Sequence, residues 1–187
     1  MKKTLITIAL TVLACLCVVG TTLAFLVDRT ESIVNTFTVG NVDITLTETT
    51  GNEYKLIPGR EYDKNPTVTV KANSEACWLF IEAAPANNLA TYVTYEIADG
   101  WTLLSGNVYY REVSSLDADQ AFAVLKGNKV TVRNDVTKAQ LDGLKNNPTP
   151  TITFTAYAVQ KDGLTVEQAW AQATNAANYP ADTTVAP

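Results

Sequence analysis

The side chains with reactive chemistry to offer are few: two acidic pairs and one thiol. Glu61-Tyr62-Asp63 and Asp117-Ala118-Asp119 each set two carboxylates two residues apart. Paired carboxylates can run glycoside hydrolysis when their surroundings separate their proton affinities, and Asp117 with Asp119 could ligate calcium. No spacing brings the two pairs together, the rest of an EF-hand loop is missing, and motifs this short are most often solvated loops. Cys77 lies in the run Ala76-Cys77-Trp78-Leu79-Phe80-Ile81, where a buried core thiol is the expected role and a bridge to another chain the sharper alternative. The chain contains no histidine. That removes Ser-His-Asp and Cys-His catalysis, HExxH zinc sites and imidazole proton shuttles together. No catalytic, metal or cofactor site is expected.

The elements that would position these residues begin with an export pattern. Lys2 and Lys3 precede an uncharged apolar stretch from Leu5 to Val19, and Gly20-Thr21-Thr22 breaks it. Thr22-Leu23-Ala24 places small residues where signal peptidase needs them, so residues 1–24 read as a signal cut between Ala24 and Phe25. Two rivals exist. Leu5 to Val27 carries no charge and is long enough to stay as a membrane anchor, and Val12-Leu13-Ala14-Cys15 loosely resembles a lipobox. Removing the signal takes the 14 basic residues to 12 against 19 acidic ones, and the net charge from −5 to −7. A balance this acidic argues against a nucleic-acid partner. Cys15 and Cys17 leave with the signal, so Cys77 cannot form an internal disulfide and the fold must rest on its core.

From there the chain reads as one mostly β domain over residues 25–187. Ser32 to Val39 and Asn41 to Glu48 are strand-like, the second with Val42, Ile44 and Leu46 alternating against Asp43, Thr45 and Thr47. Gly40-Asn41 between them suits a tight turn or a bulge. Residues 53–65 read as a polar connection turning at Pro58-Gly59, and Pro66 to Lys71 as a strand. Ala76 to Ala84 is apolar on both faces, Trp78 and Phe80 against Cys77, Leu79 and Ile81, which predicts a central strand ended by Pro85. Further strands are expected at 91–97, 101–104 and 108–113, then a hairpin of 121–125 with 129–133 around Lys126-Gly127-Asn128. Thr137 with Gln140 is a capping-box pair opening a helix over 137–145, with Val136 and Leu141 as its staple. Thr151 to Val159 alternates as a late strand deep in the sheet. Thr165 with Gln168 opens a second helix over 165–178, with Trp170 docking it on the sheet. The tail 179–187 is expected to be disordered. Short strands with turn residues between them predict an antiparallel β-sandwich, jelly-roll-like, with two short helices after the signal helix.

The export signal ending near Thr-Leu-Ala-Phe, followed by Asn35-Thr-Phe-Thr-Val-Gly-Asn-Val-Asp43 and Ile44 to Glu48, resembles the TasA/camelysin family. These are exported proteins of Gram-positive bacteria whose signals are cut by a SipW-type peptidase. The CWLFIEA and TAYAVQKDG stretches also resemble its members. The resemblance implies a jelly-roll sandwich, a cell-surface or biofilm-matrix location and, for some members, fibres in which the freed amino-terminal segment adds a strand to the next subunit. Carried to this sequence, the candidate donor is Phe25, Leu26, Val27, Ile33, Val34, Phe37 and Val39, and the partner is another copy of the chain. The other reading of that segment is the first strand of its own sandwich. A camelysin-like metallopeptidase is the enzymatic alternative, but without histidine only carboxylates remain, and oxygen-only sites favour calcium over zinc. A third alternative is a carbohydrate- or surface-binding module using Trp101, Tyr109 and Tyr110, although aromatics at strand spacing more often pair across strands.

Overall fold

Strand Cys77–Ala86 (β4) is where the chain must be covered twice. Cys77, Leu79 and Ile81 point to one face and are fully buried; Phe80 on the other face is equally buried. A computed structural model describes residues 41–51, 53–115 and 117–175, which belong to the unit Val39–Pro187. The expected signal, its cleavage point at Ala24 and Phe25, the donor candidates from Phe25 to Val39 and the tail 179–187 all lie outside the described residues.

The described chain is mostly β, with antiparallel sheets and three short helices. In chain order the strands are β1 Ile44–Thr47, β2 Glu61–Asp63, β3 Thr67–Val70, β4, β5 Val93–Thr94, β6 Thr102–Ser105, β7 Val108–Val113, β8 Gln120–Ala123, β9 Lys129–Val132 and β10 Thr151–Gln160; the helices are α1 Leu89–Tyr92, α2 Lys138–Gly143 and α3 Val166–Ala173. They pair as β1-β3-β8, β10-β4-β7-β6 and β2-β9-β5. In the four-stranded sheet, β4 runs against all ten residues of β10, from Cys77↔Gln160 to Ala86↔Thr151, and against β7 from Cys77↔Val113 to Glu82↔Val108. It is central, as its two apolar faces require.

One face of that sheet meets β1, β3, β8 and β9. Leu79, Ile81 and Val113 pack there with Val68, Val70, Phe122, Val124, Leu125 and Val130. The other face is covered by α3. Thr165 caps this helix: its Oγ1 accepts from the Gln168 N–H at 3.3 Å, and Gln168 Oε1 accepts from the Thr165 N–H at 2.9 Å. Ala169 and Ala173 are buried against the sheet, and the Trp170 ring lies 5.3 Å from both Phe80 and Tyr157. Small residues at this spacing let the helix approach while Trp170 supplies contact area. Trp78 Nε1 donates to the Leu164 carbonyl at 3.1 Å, fixing the turn before the helix.

Several expectations need correction. The stretch 121–133 is not a hairpin: β8 pairs with β3, and β9 pairs with β2 and β5. Val124 and Leu125 are both fully buried, and the chain crosses between two sheets here. The Val124 N–H donates to Pro66 C=O at 3.0 Å, and Leu125 bridges Ile97. Two consecutive buried residues break a period-two pattern, which is the mark of a crossing rather than a turn. Pro85 does not end β4: it stands opposite Ile152, and the strand runs to Ala86. The segment 91–97 is not one strand, because Asn87 and Asn88 take left-handed conformations (φ 54° and 56°) and feed the single turn α1. Residues 53–65 include a strand, β2. The helix expected over 137–145 is α-helical only to Gly143, with a 3-10 turn at Leu144–Asn146, and the one expected over 165–178 ends at Ala173. Among the described residues β10 ends its sheet instead of lying deep within it.

Two outcomes follow from this packing. Phe80→Ala removes a fully buried ring between the sheet and α3 and is expected to cost about 3–5 kcal/mol, read by urea unfolding. Burial pushes the Cys77 thiol up to about 11 from its usual 9.0. The neutral thiol is the form the fold favours, so stability is unaffected below the unfolded value and declines as pH rises from there toward the folded one. A thiol reagent at pH 8 should leave the native protein unlabelled and modify Cys77 only after unfolding.

Candidate functional site: a groove beside β1 and β10

The alternation that buries β3 extends further back than β3 itself. Tyr62, Lys64, Pro66, Val68 and Val70 point inward in succession, while Glu61, Asp63, Asn65, Thr67 and Thr69 are more exposed. This inward row includes a lysine. Lys64 is 7% exposed, and its Nζ meets Glu48 Oε1 at 2.7 Å and Oε2 at 2.9 Å. The ammonium also lies 5.5 Å from the Tyr54 ring centroid and 5.8 Å from that of Phe154. A lysine taken this far from water needs a partner, and Glu48 at the end of β1 is placed to provide it.

The ion pair stands in the wall of a groove of about 720 Å³. Leu46 and Glu48 at β1, Ile152 to Phe154 of β10, and Val93, Val130 and Val132 are among the residues that line it. The chain between β1 and β2 folds over one end. Asn65 holds its start: Asn65 Oδ1 accepts from the Thr49 N–H at 2.9 Å, and Asn65 Nδ2 donates to Thr49 Oγ1 at 2.8 Å. Tyr54 closes it, donating to Gly51 C=O at 2.8 Å and stacking obliquely on Tyr62 with ring centroids 5.4 Å apart. The size is that of ligand-binding clefts. Its lining is mixed: valines, Ile152 and Phe154 stand with Thr47, Thr149, Thr151, Thr153, Glu53 and the Lys64–Glu48 pair, and Leu46 is 37% exposed.

The residues singled out from sequence are dispersed. Glu61 pairs with Lys129 across β2 and β9. Asp119 accepts from Lys71 Nζ and from the Ala72 N–H, each at 2.9 Å, and both contacts hold its carboxyl below the usual range. Among the described residues no three of His, Cys, Asp and Glu converge as a metal would need. Trp101, Tyr109 and Tyr110 do not make one platform. Tyr109 packs into the core between the sheets, whereas Tyr110 lies on the opposite face with its ring 5.9 Å from Trp78. Sequence reasoning missed the Lys64–Glu48 pair. The signal was available, because counting back by twos from Val70 and Val68 turns Lys64 inward.

Breaking the pair should cost more than removing it. Glu48→Ala strands a buried ammonium, and with Glu48 partly exposed the expected loss is about 1–3 kcal/mol. The double variant Glu48→Leu/Lys64→Met should recover most of it. Urea unfolding of the two variants and the parent checks the sign of the coupling.

No protein-family model, no curated protein and no solved structure matches the chain.

Proposed function

We propose that this is an exported, non-enzymatic structural protein of a bacterial surface or extracellular matrix, similar in role to the TasA/camelysin family, and that it assembles by strand addition. In this reading the unit is a jelly-roll-like sandwich. Cleavage between Ala24 and Phe25 frees a segment whose apolar residues Phe25, Leu26, Val27, Ile33, Val34, Phe37 and Val39 enter the groove of a second copy. The observation that supports this is the groove itself. Leu46, Val93, Val130, Val132, Ile152 and Phe154 give it apolar surface among threonines and charged side chains, and the two strands β1 and β10 that contribute to it each stand at the end of a different sheet, with no pairing between them. An added strand can offer backbone groups to a strand edge and side chains to the pockets beside it. A donor that leaves one subunit to enter the next is a head-to-tail contact, which builds open filaments rather than closed rings.

The deciding experiment is electron microscopy of the purified chain beginning at Phe25 beside one beginning at Val34. Filaments are expected from the first and dispersed, folded monomers from the second. Ile152→Asp in the groove, in the longer chain, should also abolish filaments while leaving circular dichroism unchanged. Filaments that survive both changes, or a longer chain that stays monomeric at every concentration, would remove strand addition as the function.

A further inference from the structure

Lys64 is not the only cation the strand register turns inward. Arg111 stands on β7 opposite Leu79, on the face that carries Tyr109 and Val113 into the core. Its Cζ lies 3.9 Å from the Phe122 ring centroid and 5.4 Å from that of Trp101. At 3.9 Å the guanidinium is in contact with the ring. Trp101 is fixed in turn, donating from Nε1 to Ala123 C=O at 2.9 Å, which ties the approach to β6 against the end of β8. Gly100 passes beside the group at φ 88°, and a Cβ there would stand 3.1 Å from Arg111 Nη2. Glycine lets the backbone pack this closely against the guanidinium.

Among the described residues this guanidinium has no acceptor. No described hydrogen bond or ion pair holds it, and its Nε is buried without a partner. Among the described residues, lysines 64, 71, 126, 129, 138, 145 and 161 and Arg133 each have a carboxylate; Lys55 and Arg60 share with Arg111 the lack of a described ion pair, but both are exposed where Arg111 is half-buried. Burial also lowers the Arg111 proton affinity, the direction that loss of hydration gives a cation. A chain with 19 acidic residues could have supplied a carboxylate here. An arginine stacked on an aromatic ring, with no described acceptor for its donors, has the planar fork that suits bidentate binding of a planar anion.

We propose that Arg111, backed by Phe122 and flanked by Gly100 and Trp101, is a carboxylate-binding site. One guanidinium offers one charge and two parallel terminal donors, the match of a carboxylate's charge and two oxygens. The site is on a different part of the fold from the groove and does not depend on the assembly reading.

The test is a titration of the isotope-labelled exported chain followed by NMR at the Arg111 Nε–H and the Trp101 indole N–H. Sodium acetate is compared with sodium chloride at equal ionic strength, and a hexaglutamate peptide is added at equal carboxylate concentration. Acetate should shift both signals saturably and chloride should not. A peptide that saturates at about tenfold lower carboxylate concentration assigns the ligand to an acidic segment of a partner chain; equal potency assigns it to a free organic acid. The indole response should vanish in Arg111→Gln and weaken in Arg111→Lys, which keeps the charge but loses the fork. Equal effects of acetate and chloride, or an indole shift that persists in Arg111→Gln, would overturn the proposal. Arg111→Met separates binding from packing. It fills the same space without the cation, so its melting temperature should hold or rise. A fall of about 4 °C or more would make Arg111 a packing element and overturn the site.

Discussion

The constraint on which the rest depends is that β4 is apolar on both faces. A strand with one wet face needs a single cover. Cys77, Leu79 and Ile81 demand one layer, and Trp78 and Phe80 demand another. The first is met by strands of the other sheets. The second is met by an eight-residue helix, α3, too short to be stable on its own. It is held by a capping box at Thr165 and by Trp170 between Phe80 and Tyr157. Local chemistry starts this helix and tertiary contact keeps it, so the helix and the outer face of β4 stand or fall together.

That division explains what could be read in advance. Both capping boxes, the docking role of Trp170 and the two-faced character of β4 follow from residue type and period alone, since each is set within a few positions. The pairing partners do not. Residues 121–133 look like a hairpin because two β-prone runs flank Lys126-Gly127-Asn128, yet the strands go to different sheets. Strand choice is decided by what is buried at Val124 and Leu125, a long-range matter. The groove was illegible for the same reason. Its lining joins residues more than a hundred positions apart in sequence, Leu46 and Ile152, and no local pattern carries that distance. Lys64 is intermediate: its direction was readable from the inward row, but its partner was not.

The groove owes its form to the same pairing. β1 pairs with β3 and β10 with β4, and these neighbours lie in different sheets. β1 and β10 approach one another without a ladder, and side chains from both line the groove. Val93, Val130 and Val132 add apolar surface to its lining, and Tyr54 lines it too. A seam of this kind leaves apolar surface in contact with water, which a well-packed unit normally avoids.

Two inward cations show how far register, rather than local preference, governs side-chain direction. In extended chain, direction alternates whatever the residue, so Arg111 on β7 and Lys64, in the link between β2 and β3, turn inward because their neighbours two positions away must. The fold then treats them differently. Lys64 meets Glu48 at 2.7 Å and is enclosed, which is how a lysine's compact charge can be kept from water. Arg111 meets a phenyl ring at 3.9 Å and, among the described residues, no acid. Guanidinium is weakly hydrated and flat, so an aromatic face compensates part of its desolvation, but not the donors in its own plane. A buried pair closed on itself is structural. A stacked cation with unfilled donors is half of an interaction, and the chemistry of the missing half is fixed by the half that is present.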